Sequence, residues 1–509
     1  MFSTVVLGLA VGFNVTNSLG LVLFATGLVT LPLLWRRPIL GVYVMMAGAT
    51  ALEAYSLGYP DSFTDRIPFF KPLDQTGIPV PITAAELIMI GTIVLVIIKR
   101  VGKRQKPMDL GPLFPAMAAY AVFVVYGLGR GLSQGGDLNI AIWEVRGQFY
   151  PLLMYLLVFN LVDSQGQVRR LVWIFLGAIA LKGIIGTLRF IVTLGGDLSQ
   201  VTVASRANSL LSHEESLLFA MFFVFTALLF LFKADKAQLK FSLFALAPVA
   251  LAFLANQRRA GFLAFFLAMV VVAVMAYVIL PSKRRPMAYL AIISIFVLPT
   301  YVLVFSQNEG LIAEPARAIS SLYLPDERDS NSNEYRVLEG ENLRLNIAKN
   351  PVLGAGYGRE LEMFVPMPDL TSIFSLWAYI PHNTILWIWL RVGFIGFAAF
   401  WFMVGRSILQ QAIANRQLQD TYLKMTGVVS IAMIVTWVAA GLIDMGITDF
   451  RLNILVGAFM GLSTKMALAY SKTRNIASGQ GTALDYAAAI DEAPGGNASG
   501  GLRLRFKQR

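Results

Sequence analysis

The chain has 509 residues, of which 56% are hydrophobic and only 14% charged, with no cysteine and a formal net charge of +12. Such a composition lies far from that of soluble domains, and the many unbroken apolar runs near 20 residues fit helical bilayer crossings and disfavour a β-barrel, whose strands alternate every second residue. The positive charge sits in connectors between apolar runs, which points to anionic lipid headgroups and away from nucleic acid, and the lack of cysteine leaves no disulfide to brace any loop.

In chain order, residues 3–35 form an apolar stretch too short for two full spans and long for one, with Asn17-Ser18 inviting a break. No basic segment precedes it, which disfavours a cleaved signal peptide. Spans follow near 38–58, 81–99, 110–129, 149–163, 171–193, 208–232, 241–255, 260–280, 286–306, 393–410, 424–444 and 451–470. The expected fold is an all-α polytopic integral membrane protein of about 12–14 transmembrane helices, with one large extracytoplasmic, partly helical loop between late spans. This divides the chain into an N-terminal bundle (1–306), a periplasmic loop with an interfacial helix (307–392), C-terminal transmembrane helices (393–470) and a disordered cytoplasmic tail (471–509). Connectors at Arg36-Arg37, Lys99 to Lys106, Arg169-Arg170, Lys233 to Lys240, Lys283 to Arg285 and Arg406 to Lys424 are basic and fall on every second loop, as expected of the cytoplasmic side.

Against that pattern, Arg146, Arg206, Arg258, Arg259 and several arginines between Arg317 and Arg359 stand on the outer side. Gln257-Arg258-Arg259 joins two apolar stretches there. Two like charges about 4 Å apart repel by about 1 kcal/mol in water and about 4 kcal/mol at an effective dielectric of roughly 20, so the pair calls for a counter-anion. A guanidinium suits phosphate because its forked donors bind bidentately and it keeps its proton. Neighbours on a helix differ by about 100°, so both need not face one site. His382, after Pro381 and opening a helix, is expected neutral because the positive dipole end disfavours imidazolium, and as such is a general base or acceptor-positioning group. Trp387 and Trp389 read as interfacial anchors, and Arg391 demands a short helix turning near Gly393 so that it avoids hydrocarbon. Ser212-His213-Glu214-Glu215 forms a polar cluster at a span end, with Glu214 or Glu215 a rival base or acceptor contact. Lys182 reads as a paired or snorkelling cation. Glu53 and Glu86 read as headgroup-exposed, and Asp444 and Asp449 as neutralising outer arginines. Nucleotide-binding glycine motifs and metal-spaced His or Cys clusters are absent from the sequence.

Asn350-Pro351-Val352-Leu353-Gly354-Ala355-Gly356-Tyr357-Gly358, then Pro381-His382-Asn383-Thr384 and Gly393-Phe394-Ile395-Gly396, resembles the C-terminal signature of the bacterial O-antigen ligase and Wzy-type polymerase superfamily. Arg206 before a span, Arg258-Arg259-Ala260-Gly261 opening another and Arg336 in the outer loop match in order, so the resemblance covers roughly residues 140–470. The chain departs from the family at Ser212 to Glu215, where many relatives carry an Asn-rich stretch. The resemblance implies a metal- and cofactor-independent, inverting glycosyltransferase of the bacterial inner membrane, facing the periplasm with a cytoplasmic C-terminus. It would move a glycan from undecaprenyl diphosphate to a glycan or lipid A–core acceptor. It further implies catalytic roles for His382, Arg258 and Arg259, and diphosphate binding by Arg206, Arg258, Arg259 and Arg336. Acceptor-side or secondary-base roles fall to Glu214, Glu215, His213 and Asn383. The rival reading is a flippase or secondary transporter, against which the single asymmetric outer loop counts.

Overall fold

A computed structural model describes residues 30–53, 64, 67–76, 82–201, 210–308, 310–321, 323–325, 327–372 and 374–477. Most of the stretch 3–35 lies outside the described residues, as do Arg206 and the tail from 478 onward. Within them every regular element is helical, as the apolar runs predict, and the sole β feature is an isolated Pro72–Thr83 bridge. The named helices are α1 (Ile39–Ala51), α2 (Ala84–Gly102), α3 (Phe114–Ser133), α4 (Leu138–Leu161), α5 (Gln165–Leu188), α6 (His213–Phe232) and α7 (Lys236–Ala255). They continue with α8 (Arg259–Ile279), α9 (Arg284–Phe305), the short α10 (Glu314–Ser320), α11 (Glu327–Lys349), α12 (Thr384–Gln417), α13 (Thr421–Ile443) and α14 (Phe450–Ala477).

Eight of the described helices are long and apolar enough to cross a membrane, so the chain is a multi-pass membrane protein. α4 and α14, expected as spans over 149–163 and 451–470, are longer than that and carry buried polar side chains at one end: Glu144 and Gln148 in α4, Arg451 and Asn453 in α14. These polar turns pack against protein, where partners satisfy them, so hydropathy starts α4 late, at 149 instead of 138, whereas α14 begins at 450, next to the expected 451. Asp137, Asp235 and Asp420 cap α4, α7 and α13 through backbone N–H groups, and Ser164 and Gln167 form a capping box on α5.

α6, α13 and α14 form the enclosed centre, with α4 and α12 against α14 and α8 against α6 and α13. Phe175, Phe225 and Phe459 interlock there, with ring centroids 4.9–6.2 Å apart. A charged chain crosses the same centre. Lys182 pairs with Glu53 and lies 3.4 Å from Glu215, and Arg451 reaches Glu215 at 2.5 Å. Glu53 is 3% exposed and Glu86 8% exposed, so neither is the headgroup-facing acid expected of it: Glu53 holds Lys182, and Glu86 closes a capping box on Thr83 and accepts from Tyr150.

The N-termini of α6, α8, α12 and α14 and the C-terminus of α13 meet at one end of the bundle, beneath α11 and the 350–383 segment. That end holds the candidate site.

Candidate functional site

The turn between α7 and α8 is only three residues long, and its middle residue, Gln257, adopts a left-handed conformation (φ 50°). The buried Asn256 accepts from Leu211 N (3.0 Å) and donates to Ser212 O (3.1 Å) and Ser216 Oγ (2.7 Å), locking the turn onto the start of α6. Gly261 completes the fit: a Cβ there would stand 2.6 Å from Ser216 Cβ, so only glycine lets α8 come this close. Arg258 is thereby set at the N-cap of α8, with Nη1 3.1 Å from His213 Nε2. His213 Nδ1 lies 2.7 Å from Asp444 Oδ2. A neutral ring with its proton on Nδ1 satisfies both contacts, donating to Asp444 and accepting from Arg258. Arg259 points elsewhere: its guanidinium donates to Ser321, Asn333 (3.2 Å each) and Ser332 (3.5 Å), tying α8 to α11 and to the residue after α10.

α11 supplies the second half. Glu339 Oε2 accepts from the His382 backbone N–H at 2.8 Å, and its carboxylate lies 3.1 and 3.2 Å from Nδ1 of the same histidine. Tyr335, one turn earlier, packs edge-on against the imidazole at 5.7 Å. The helix end was expected to disfavour imidazolium at His382, and the surroundings act against that expectation. Burial lowers its pKa, but the hydrogen bond and charge of Glu339, helped by Asp444, outweigh burial and the Arg336 charge and raise it above the ordinary histidine value. Arg336 stands close enough to act on both His382 and Asp444, and its Nε is buried without a hydrogen bond among the described residues. Asn383 caps α12, its Oδ1 accepting from Leu386 N at 3.0 Å.

Between these halves lies a cavity of about 320 Å³. Arg258, His213 and Glu214 line it from α6 and α8, and Tyr335, Glu339 and His382 from the α11 side. Asp444, Thr448 and Asp449 close it from the α13–α14 connector, with Trp143, Phe374 and Trp377 forming aromatic wall. Asp444 is buried, which would raise its pKa, but His213, His382 and Arg336 hold its carboxyl well below the usual range. Asp449 is pushed well above it by burial and by neighbouring Glu214.

Of the residues singled out from sequence, the cavity gathers Arg258, His382, His213 and Glu214. Arg259, Arg336, Glu215 and Asn383 do not line it, and Arg206 is outside the described residues. Glu215 faces inward onto Lys182 and Arg451, fully buried, where an ion pair holds it away from any acceptor. Asp444 contacts His213 directly and also feels the Arg336 charge, whereas Asp449 feels Arg451 but is opposed more strongly by Glu214. Glu339 and Tyr335 were missed because a charge on a polar outer helix looks merely solvated. The available signal was Glu339 three residues after Arg336, within one helical turn.

The glycine-rich segment serves the site indirectly. Gly354, Gly356 and Gly358 all have φ between 74° and 84°. A Cβ on Gly356 would meet Gly131 N at 2.2 Å, and one on Gly358 would meet Asp137 O at 2.4 Å, so the loop seats backbone to backbone on α3 and α4. Arg391 is fully buried, pairs with Glu144 at 2.7 Å and donates to the carbonyls of Gly356, Arg359 and Tyr379. α12 breaks at Gly393 (φ 73°, ψ 178°), the turn that Arg391 demanded. Trp387 is no interfacial anchor: it is fully buried, its indole donating to Tyr379 O (3.1 Å) and facing Glu144 (3.3 Å).

A multi-pass helical protein with a cation-bearing cavity between the helix ends and α11 is the class defined so far. Residues 243–401, which include Arg258, the glycine-rich loop and His382, match the family model described as O-antigen ligase, which supports the resemblance read from the sequence. The match supports a glycan-transfer function in the membrane. No curated protein matches the chain.

Proposed function

We propose that this cavity transfers a glycan from an undecaprenyl diphosphate-type carrier to an acceptor hydroxyl, with inversion, at the periplasmic face of a bacterial inner membrane. The observation that carries this is the convergence of Arg258 and His382 in one cavity where four helix N-termini meet. Helix N-termini and a guanidinium both favour phosphate oxygens, and a poorly solvated site strengthens them as the leaving diphosphate gains charge. The diphosphate supplies the leaving group, so no nucleotide is needed on this side of the membrane.

His382 acts as general base. Glu339 holds its Nδ1–H, leaving Nε2 to take the proton of the acceptor hydroxyl. The acceptor oxygen then bonds to the anomeric carbon, the bond to the diphosphate oxygen breaks, and the departing charge is met by Arg258, with Arg336 adding long-range field. Arg259 holds the outer segment over the site, and Arg206 is a further candidate for the diphosphate. Whether the acceptor is a lipid A–core sugar or a growing polysaccharide decides ligase from polymerase. Purified protein given a lipid diphosphate-linked glycan and a lipid A–core glycolipid tests the proposal: His382→Ala should lose about 10²–10⁴-fold in transfer. Full transfer by that variant would place the chemistry elsewhere.

A further inference from the structure

The cavity holds two carboxyl groups that the transfer mechanism does not use. Glu214, at the start of α6, and Asp449, immediately before α14, line it and meet side chain to side chain. Asp449 is 5% exposed. Its Oδ1 accepts from Leu452 N at 2.6 Å, whereas Oδ2 is buried and receives no hydrogen bond from the described residues. A carboxylate with an undonated, buried oxygen against another carboxylate is costly twice over, through desolvation and through like-charge repulsion. A single proton on Oδ2, donated to Glu214, removes both costs, and the upward push on the Asp449 carboxyl by burial and by Glu214 agrees with it.

The charged groups around the pair do not supply the missing donor. Arg451, behind it on α14, is committed to Glu215 and to the carbonyls of Ala49 and Thr50. Ser212 Oγ lies against both Glu214 and Glu215 and has one proton to give them. His213, Arg258, His382 and Asp444 share the cavity, with His213 held by Asp444 and Arg258, and His382 by Glu339.

We propose that Glu214 and Asp449, sharing one proton, form the subsite that binds the hydroxyl groups of the acceptor sugar. A carboxylate beside a carboxylic acid offers both acceptor and donor positions, which is what a sugar hydroxyl needs. Trp143 lines the same cavity and packs its ring 5.4 Å from Phe450, next to Asp449, giving the apolar face of a pyranose a surface beside the pair. The net negative charge also repels the diphosphate, so charge sorts the cavity: donor phosphates to Arg258, acceptor hydroxyls to the acids. The proposal rests on the transferase reading and adds where the second substrate sits.

Two measurements on the full-length protein test it. With an undecaprenyl diphosphate-linked glycan saturating and a lipid A–core glycolipid titrated, Glu214→Gln and Asp449→Ala should each raise the acceptor KM about tenfold or more, with the donor KM little changed. Asp449→Asn, whose amide can donate where the acid does, should recover most of the Asp449→Ala loss, and the exposed control Glu341→Gln should behave as wild type. Infrared spectroscopy at neutral pH should show a protonated-carboxyl band that Asp449→Asn removes. An unchanged acceptor KM in Glu214→Gln, no recovery by Asp449→Asn, or a band that survives Asp449→Asn would overturn the subsite while leaving the transferase reading standing. Absence of transfer by the wild type, or full transfer by Arg258→Ala, would overturn that reading and the subsite with it.

Discussion

At the scale of single residues, the site works through second partners. Glu339 turns His382 from an ordinary surface imidazole into an oriented base with a raised pKa, and Asp444 fixes His213 in the tautomer that accepts from Arg258. The sign for pH follows. A base acts when unprotonated, so the transfer rate should rise with pH through a limb above the ordinary histidine value. Glu339→Gln removes the charge that raises His382, so in a kcat/KM against pH profile its limb should move to lower pH and its plateau should fall. A limb that stays in place would show that another group titrates. Arg258 and His382 were legible because an outer arginine pair violates a topology bias and because histidine is scarce, with only two in the chain. Glu339 was not, and Asp449 was read without its partner Glu214, since their effect depends on which acid or imidazole meets them across the fold, and no local spacing encodes that.

At the scale of elements, backbone approach governs. The glycine-rich loop has left-handed φ values and seats against α3 and α4 with no room for a Cβ. Gly356→Ala should therefore destabilise the protein by at least about 2 kcal/mol, because the methyl meets backbone atoms that cannot rotate away. A lowered thermal midpoint in detergent, with loss of transfer, would show it; an unchanged midpoint would mean that α3 shifts freely. The break in α12 was predictable from the cost of carrying Arg391 into hydrocarbon, and the structure adds the partner, Glu144, that makes burial tolerable. Arg391→Ala would strand that carboxylate, an effect of about 3–5 kcal/mol. The start of α4 was misread because hydropathy scores a polar side chain as if it faced lipid, whether or not a neighbouring helix satisfies it.

At the scale of the whole molecule, the alternation of basic connectors placed Arg258, His382 and Asp449 on one side, and the fold gathers them at one end of the bundle. The cysteine-free chain makes orientation directly testable. Leu370→Cys, on the cavity side, should react with a membrane-impermeant maleimide added to spheroplasts, and Lys236→Cys, on the opposite connector, only after permeabilisation. The reverse pattern would move the active face to the cytoplasm. The central claim is that Arg258 binds the leaving diphosphate inside this cavity. Transfer by Arg258→Ala, measured beside Arg344→Ala, whose side chain is 69% exposed and pairs with Glu341, tests it most directly. Loss of about 10²-fold or more in Arg258→Ala, with Arg344→Ala near wild type, is the predicted result; wild-type transfer by Arg258→Ala would contradict the account.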